Sequence, residues 1–537
     1  MVNNYNKHIE DVNECTSRGT CSVSPSIAAL QEVAFLMLQQ ISHYILLLEQ
    51  LGARNESVSN RLAISLASLV SVNEFSDTQL FSIIKNEYFL LKNTKETYLN
   101  LCKTSNILPK RLKNGIKFFE NTSLPQAIAL GEKIILDRYK KYDNEQKNLI
   151  IILEMILKSV CFNISNLLDF GENESSSIDF IINILDLFNH NKINSQKLIQ
   201  LISELSVLDG ELQLKISELL LDKFDGLSET NVSHSTAKGK AILVSGNNFF
   251  DLLKLLEATK DIDIDVYTHS NLLIAHSLNK FKEFANLKGH FGDKTENCLI
   301  DFAIFPGAIL LTKNSVNNTE YYYRGRLFTT DYIVPQGVIK IENNNFGPLI
   351  EASKNAKGFM KGKIKPDSVV GYNFIDLERD LDVICTKFNN QQIKHLYFVG
   401  IDAHLEIQKE YFNDFFKELN DDEFVISFSY SSYKDNVLTI PVGNYTPVVS
   451  KILVEIFNKI SIEDERITFF FTTCDVMSVS GLIMLKKHNA KSLYMVKCPP
   501  MLINPSVYAT LQSKYNVKTT TVATKDLDNI RNKKSTQ

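Results

Sequence analysis

Apolar positions recur with helical spacing along most of residues 24–224. Ser24 is a candidate N-cap with Pro25 in the first turn, ahead of an apolar run that ends at Gly52. Ser76 begins a capping box and Ser123 precedes a further apolar run, so each predicts a helix start. Later helices are predicted at residues 148–168, 178–188 and 195–224. Six or so long helices with short polar joints predict a helical bundle.

The hydrophobic pattern changes after a polar, turn-rich stretch at residues 226–240. Short β-branched runs then alternate with amphipathic segments, which predicts parallel sheets covered by helices. The predicted strands are residues 241–246, 264–269, 302–312 and 332–335, then 395–402, 424–431, 437–443, 467–473 and 492–498. Helices are predicted between them at residues 249–261, 277–287, 407–419 and 448–460. We therefore expect a helical bundle domain at 1–230 followed by two Rossmann-like α/β domains at 231–380 and 381–537.

Composition narrows the class of protein. Hydrophobic residues make up 44% of the 537 residues and the net charge is −4, which fits a multi-domain globular chain with no general attraction to nucleic acid. The first residues have neither the basic nor the apolar part of a signal peptide, so a cytoplasmic location is expected. The apolar stretch at 148–164 carries Glu154 and Lys158, which predicts a buried helix and no membrane span.

Generic motifs of cofactor binding are missing from the sequence. No G-x-G-x-x-G or P-loop pattern follows a predicted strand, so no nucleotide cofactor is expected, and zincin, zinc-ribbon and α/β-hydrolase motifs are also lacking. Several polar residues lie at the ends of predicted strands in the second domain, where open α/β sheets bind ligands. These residues are Asn247, His269, Asn271, His276 and Ser315. The alternative interpretation, that they cap loops, stays open.

Cys15 and Cys21 form one short-range cysteine pair before the first long helix. They are either two unrelated thiols or half of a thiolate metal site. The remaining cysteines are isolated, mostly in apolar surroundings, and are predicted to be core residues. They are Cys102, Cys161, Cys298, Cys385, Cys474 and Cys498.

A series of segments resembles the hybrid cluster protein family, also called the prismane or hydroxylamine reductase family. The segments are, in order, AILVSGNN, VYTHSNLLIAH, FPGAILLTKNS, RLFTTDYIVPQGVIKI, IKHLYFVGID, VLTIPVGNY and CPPMLINPSVYATLQSKYNV. The N-terminal ECTSRGTCSVSPSIAALQEV is similar to the start of that family's cluster-binding region. The resemblance implies a helical domain followed by two α/β domains, and a relationship to carbon monoxide dehydrogenase. It also implies a four-iron cubane near the N-terminus and a hybrid iron–sulfur–oxygen cluster where the domains meet.

The chain departs from that family at the positions of the hybrid-cluster ligands. The resemblance implies histidine, glutamate and cysteine ligands at these positions. This chain has amide, hydroxyl, apolar and aspartate side chains there instead. The segment that carries a further cysteine ligand in the family is shortened here, within residues 445–467. The aligned positions are Asn247, Asn271, Ser315, Ile401, Val442 and Asp475. Neutral amides and apolar groups cannot replace thiolates around iron–sulfur centres, and Asp475 with Cys474 offers at most two donors. We therefore expect no hybrid cluster.

The N-terminal site keeps half of the donors that the resemblance implies. Asn3 and Asn6 stand at the first two cysteine positions, and Cys15 and Cys21 stand at the third and fourth. Two thiolates from each subunit of a homodimer suffice for one shared [4Fe–4S] cluster, as in carbon monoxide dehydrogenases. The leading hypothesis is therefore an electron-transfer or redox-sensing protein with a redox partner protein, in which His269 and His276 help line the former substrate cavity.

Two alternatives remain open at the level of sequence. The first is a cluster-free pseudoenzyme that acts as a binding or regulatory protein, with Cys15 and Cys21 as plain thiols. The second is an active reductase of the hydroxylamine reductase type, with a metal site near Cys474 and Asp475.

Overall fold

The computed structural model of the chain describes residues 24–70, 76–110, 112, 115–190, 192–292, 298–313, 325–332, 334, 337–402, 409–473, 475–496 and 505–532. The chain packs as two compact units. The first comprises Met1–Leu212, Asp475–Ile483 and Pro500–Lys514, and the second comprises Gln213–Cys474, Met484–Pro499 and Tyr515–Gln537. The domain boundaries placed at 230 and 380 stay a prediction.

Long helices build the first unit, as predicted. They are α1 Pro25–Gln50, α2 Glu56–Ser68, α3 Asp77–Thr104, α4 Leu124–Lys141, α5 Asn144–Asp169 and α6 Ser175–His190, and α7 Ser195–Lys223 begins there. Ser24 caps α1 by accepting from the Ile27 N–H, and Ser76 forms the predicted capping box with Gln79. Helix α1 packs against α3, α4 and α6, so its apolar residues are buried on most sides. The sequence analysis missed α2.

Helix α5 carries the apolar stretch that was predicted to be a buried helix. Among the described residues it is the one helix long and apolar enough to cross a membrane by length and composition, and 89% of its most apolar window is buried inside the protein. The prediction of a buried helix is therefore confirmed.

The charges of α5 are buried with it. Arg138 of α4 donates to Glu154 at 2.7 Å and to Glu32 of α1 at 2.8 Å, and the Lys158 ammonium lies 5.6 Å from the centre of the Phe35 ring. Burial raises the pKa of Glu32 to about 7 and lowers the pKa of Lys158 to about 8. Four ionisable groups from three helices thus form one buried network, whose members depend on each other for compensation of charge.

Two six-stranded parallel sheets lie in the second unit, which confirms the predicted α/β class. Sheet I has the order β4-β3-β2-β5-β6-β7 and sheet II the order β11-β10-β9-β12-β13-β14. The strands of sheet I are β2 Ala241–Ser245, β3 Asp265–His269, β4 Leu287–His290, β5 Ala308–Leu311, β6 Leu327–Thr329 and β7 Ile339–Lys340. Those of sheet II are β9 His395–Val399, β10 Glu423–Ser427, β11 Val437–Thr439, β12 Ile467–Phe471, β13 Ser492–Met495 and β14 Val517–Thr519. Strands β1 Thr230–Val232 and β8 Ser368–Val370 form a separate antiparallel pair.

Helices connect these strands. They are α8 Phe249–Thr259, α9 Cys298–Ile304, α10 Gly347–Asn355, α11 Phe374–Asn389, α12 Lys409–Lys417, α13 Thr446–Phe457, α14 Val476–Lys487, α15 Pro505–Tyr515 and α16 Ala523–Arg531. Two 3₁₀ segments, Ser270–Ser277 and Asn279–Glu283, follow β3.

Three predicted elements are wrong in part. Residues 302–312 were predicted as one strand, but α9 extends to Ile304 and β5 begins at Ala308, because Pro306 and Gly307 interrupt the apolar run. Residues 277–287 were predicted as a helix, but the second 3₁₀ segment occupies only Asn279–Glu283, and residue 287 already begins β4. There the N–H groups of Asn279 and Lys280 donate to the carbonyls of Gly226 and Phe224 instead of to a helix of their own.

The third wrong element is the strand predicted at residues 332–335. Tyr332 and Val334 lie outside any strand, and the edge of sheet I is built instead by β6 and β7 on either side of that segment. Residues 333 and 335 lie outside the described part of the chain.

Each sheet has one point at which the direction of strand addition reverses. In sheet I the chain lays β3 and β4 on one side of β2 and then returns to place β5 on the other side. In sheet II it does the same around β9, with β10 and β11 on one side and β12 on the other. Ligands of open parallel sheets bind outside the carboxyl ends of strands at such points. The loops after β2 and β9 are therefore the places to examine for a site.

Candidate functional site

Asn247 and Asn271 meet at the reversal point of sheet I. Asn247 follows β2, and Asn271 lies in the 3₁₀ segment that follows β3. The Asn271 side-chain amide donates to Asn247 Oδ1 at 2.7 Å, and the Asn247 amide donates to the carbonyl of Lys313, after β5, at 3.2 Å. The pair therefore ties together the loops that follow three neighbouring strands.

His269 is held within the same edge of the sheet. Its Nδ1 lies 2.9 Å from Ser245 Oγ and its Nε2 lies 3.4 Å from Asp301 Oδ2. The residue is 1% exposed, and Gly292 approaches so closely that a Cβ there would lie 2.9 Å from the imidazole. His269 is consequently fixed in position by polar partners on both nitrogens.

His276, His290, His234 and His269 form a group that we call the histidine cluster. Thr268 Oγ1 lies 2.8 Å from His276 Nε2 and 2.9 Å from His290 Nδ1. One hydroxyl can donate only one hydrogen bond, so one of these two imidazoles accepts and the other donates through a ring N–H. The His290 ring stacks on His269 at 6.3 Å and meets His234 edge-on at 5.7 Å.

Two members of the histidine cluster, His276 and His290, favour the uncharged imidazole. Burial, with a smaller contribution from His234, lowers the pKa of His276 to about 4. The pKa of His290 is lowered well below its ordinary value by burial and by the three neighbouring imidazoles. At neutral pH His276 and His290 are therefore uncharged. The hydrogen bonds of the cluster run to hydroxyl, carboxylate and backbone groups, and His276 is hydrogen-bonded to the backbone of Gly289.

Two members of the cluster were expected from the sequence and two were missed. His269 and His276 were predicted as polar groups lining a cavity, and that role stays a prediction. His290 was missed although it ends β4, whose Cα register places it opposite Thr268 of β3. Recognising that β3 and β4 are parallel neighbours would have placed it beside the predicted histidines.

Ile401 lies in the loop at the reversal point of sheet II and is 6% exposed. The preceding Gly400 has a φ of +70°, donates to the Phe470 carbonyl at 3.0 Å, and leaves no room for a side chain because a Cβ would lie 1.9 Å from Ser429 Oγ. Ile401 is therefore an apolar residue buried on a tightly positioned loop.

Asp402, on the other side of Ile401, was missed by the sequence analysis. It is 3% exposed, and its carboxylate accepts from the backbone N–H groups of Thr472 and Thr473 at 2.7 Å each. It also accepts from the hydroxyls of the same threonines at 2.7 and 3.0 Å. These four hydrogen bonds join the loop after β9 to the end of β12, so Asp402 fixes the geometry of the loop.

Val442 is fully buried where sheet II approaches sheet I within the second unit. A Cβ on the following Gly443, which has a φ of +61°, would lie 3.0 Å from the Ile274 nitrogen. The carbonyl of Pro441 accepts from the Gly371 N–H at 2.7 Å. The segment around Val442 is thus packed against the 3₁₀ segment that carries Asn271.

Asp475 has a structural role of its own. Its Oδ1 accepts from the Ser478 N–H at 2.8 Å, which is the hydrogen bond of an N-cap at the start of α14. It belongs to the first compact unit, whereas Asn247, Asn271, Ile401 and Val442 belong to the second. Ser315, Cys474, Cys15 and Cys21 lie outside the described residues. Cys102, Cys161 and Cys385 are buried free cysteines, as predicted.

The described residues do not fit a hybrid cluster. Ile401 and Val442 carry no donor atom, and both are buried. Asn247 and Asn271 direct amide groups at each other and are neutral, whereas iron–sulfur centres need thiolate, imidazole or carboxylate ligands. These positions therefore offer no ligands through which such a cluster could act.

Comparison with known proteins gives consistent similarities. The model of the Prismane/CO dehydrogenase family matches residues 11–440. The hydroxylamine reductase of Thermodesulfovibrio yellowstonii is 24% identical over 97% of this chain and 98% of its own length. The hydroxylamine reductase of Acidiphilium cryptum is 24% identical over 78% of this chain and 75% of its own length. A Ni-free carbon monoxide dehydrogenase from Thermococcus sp. AM4 is similar in structure with a TM-score of 0.46 and 10% identity, over 97% of this chain and 87% of that one.

Proposed function

Because the chain belongs to the Prismane/CO dehydrogenase family, we propose that it is an iron–sulfur protein that has lost the hybrid cluster and keeps one [4Fe–4S] cluster. Its relatives include hydroxylamine reductases. Cys15 and Cys21 of both subunits of a homodimer ligate the shared cluster. The protein transfers electrons or senses redox state in the cytoplasm, together with a redox partner protein.

The hydrogen bond between Asn247 and Asn271 is the observation that carries the proposal. Residues aligned with two ligands of the hybrid cluster contact each other directly at 2.7 Å. Ile401 and Val442 are buried apolar residues at two further ligand positions. Substitution of a single ligand would only weaken a cluster. Here the replacement side chains make their hydrogen bonds, or are buried, without any cluster present. The residues support a reorganised, cluster-free region at this place.

The paired cysteines support the remaining cluster. Two thiolates per subunit are too few for a cubane within one chain, and a two-fold axis supplies the other two. In this proposal the cluster between the subunits exchanges electrons with the partner protein and needs no substrate pocket. This is why electron transfer or redox sensing is proposed in preference to turnover of hydroxylamine.

Iron and acid-labile sulfide, measured on anaerobically purified full-length protein together with its mass in solution, test the proposal. We expect a brown dimer with about 2 Fe per chain, because one four-iron cluster is divided between two subunits. Cys15→Ser should bleach the protein, whereas the matched control Cys385→Ser, at a buried cysteine outside the N-terminal pair, should keep its iron.

Other iron contents would overturn the proposal in distinguishable ways. About 4 Fe per chain would mean a complete cluster in each subunit, with ligands besides Cys15 and Cys21. Colourless protein after attempted reconstitution would leave a cluster-free binding or regulatory protein, to be identified by ligands that raise its melting temperature. Dye-coupled reduction of hydroxylamine that is lost in Asp475→Asn and kept in Cys15→Ser would establish an active reductase instead.

A further inference from the structure

A second group of metal-ligating side chains lies in the helical unit, apart from the histidine cluster. His43 is on α1, and Asp186 and His190 are one turn apart on α6. His43 Nδ1 lies 2.9 Å from Asp186 Oδ1, and His190 Nε2 lies 3.1 Å from Asp186 Oδ2. One ligand atom from each of the three residues can be chosen so that all lie within 4.8 Å of one another.

These distances are close to those that a bound metal ion requires. Zn²⁺ binds histidine nitrogen and carboxylate oxygen at about 2.0–2.2 Å, so tetrahedral ligand atoms are separated by about 3.3 Å. The two histidine–carboxylate separations of 2.9 and 3.1 Å lie within a few tenths of an ångström of this value, and the separation between the two imidazole ligand atoms is at most 4.8 Å. The i, i+4 spacing of Asp186 and His190 keeps both on one face of α6, opposite α1.

The Asp186 carboxylate is prepared to act as an anionic ligand. Asn189 donates to Asp186 Oδ1 at 3.1 Å and also to the Gln39 carbonyl, which orients the carboxylate from outside the site. The orientation of the Asp186 carboxylate is therefore set by Asn189 as well as by the two histidines.

The side chains of His43, Asp186 and His190 differ in solvent exposure, as is expected for a metal site that an ion can enter. The side chains of His43 and Asp186 are 9% and 15% exposed, whereas that of His190 is 50% exposed. Two ligands are thus held by packing, and the third lies beside solvent, where an ion can enter and a water molecule can complete four-coordination.

We propose that His43, Asp186 and His190 form a binding site for a divalent transition-metal ion of the zinc type, with two imidazole ligands and one carboxylate. Such ligands suit Zn²⁺ and other first-row ions near the end of the Irving–Williams order. The site is independent of the proposed N-terminal cluster, since it uses no cysteine. The competing account is that the two imidazoles only hydrogen-bond to Asp186 and bind no ion.

Cobalt binding to the full-length chain distinguishes these accounts. The protein carries Cys15→Ser and Cys21→Ser, so that N-terminal thiols neither bind the ion nor hold a coloured cluster, and is stripped with a chelator. Titration with Co²⁺ should give visible absorption that saturates at one ion per chain and is bleached by Zn²⁺. The melting temperature should rise with Zn²⁺ by mass action.

Variants assign the binding to the named residues. Asp186→Asn and His190→Ala should weaken binding by at least about 100-fold, because even the outer partners of metal ligands are worth about 10–100-fold in affinity. His488→Ala, at an exposed histidine, is the matched control and should bind like the parent protein. His190 is half-exposed, so its removal leaves the fold intact, which circular dichroism of the metal-free variant verifies.

The proposal fails if the parent protein takes up no Co²⁺ or Zn²⁺, or if His190→Ala and Asp186→Asn bind as tightly as His488→Ala. The first result would establish the purely structural hydrogen-bonded group. The second would place the bound ion at other residues.

Discussion

His276→Gln should remove part of the acid sensitivity of the second unit. The wild-type imidazole has a pKa of about 4 in the folded protein, against an ordinary value of 6.5. Between these values the unfolded chain binds more protons than the folded one, so the free energy of unfolding falls as the pH falls. Glutamine cannot titrate, yet its carbonyl can still accept from the Thr268 hydroxyl.

The size of the effect follows from the two pKa values. At pH 7.5 His276 is neutral in both states and contributes almost no pH dependence. At pH 5.0 it is mostly protonated in the unfolded chain and mostly neutral in the folded protein, which lowers the free energy of unfolding by about 2 kcal/mol. Because His276 is only 9% exposed, solvent screening reduces this figure little.

Urea unfolding followed by far-ultraviolet circular dichroism at pH 7.5 and 5.0 measures this quantity. For each protein, the free energy of unfolding at pH 5.0 is subtracted from that at pH 7.5. This loss should be about 2 kcal/mol larger in wild type than in His276→Gln. His488→Gln, at an exposed position, should lose as much as wild type. An equal loss in wild type and His276→Gln would refute the reasoning, because it would mean that the folded protein does not disfavour the charged ring.

Three further substitutions test the packing around the buried charges and the sheet II loop. Arg138→Met should lower the free energy of unfolding in urea by about 3–5 kcal/mol, because it leaves buried carboxylates without their guanidinium partner. The control Arg54→Ala, at a more exposed ion pair, should lower it by about 1 kcal/mol or less. Gly400→Ala should lower the melting temperature, since the added Cβ meets backbone strain and the Ser429 side chain, and an unchanged melting temperature would contradict the described loop. Asp402→Asn should destabilise by about 1–3 kcal/mol in the same urea assay, because an amide nitrogen cannot accept the hydrogen bonds that the carboxylate accepts.

Periodicity and caps predicted most of the helical unit. Ser24, Ser76 and Ser123 begin helices as expected. The Ser24 and Ser76 hydroxyls accept from backbone N–H groups of the first turn, whereas Ser123 donates through its N–H and its hydroxyl to Gln126 Oε1, so all three act locally. Residues 277–287 could not be predicted in this way. Phe281 of that segment stacks on Phe224 at 5.2 Å, and these tertiary contacts, distant in sequence, override the local helical pattern.

The candidate site was predictable only in part for the same reason. Asn247 and Asn271 could be placed near strand ends, but their mutual hydrogen bond depends on the pairing of β2 with β3. The contacts of Asp402 with Thr472 and Thr473 need β9 and β12 to be neighbours, although 70 residues separate Asp402 from Thr472. A single sequence contains no direct signal for such long-range pairing.

The loop of Gly400, Ile401 and Asp402 has a consequence for protein engineering. Gly400 sets its turn through backbone conformation, and Asp402 anchors it through hydrogen bonds to backbone and hydroxyl groups. Neither contribution involves the side chain at 401. Because Ile401 is itself buried, exchange at this position changes only side-chain packing on a fixed backbone, and Ile401→Cys would place a thiol on a loop whose course is already determined.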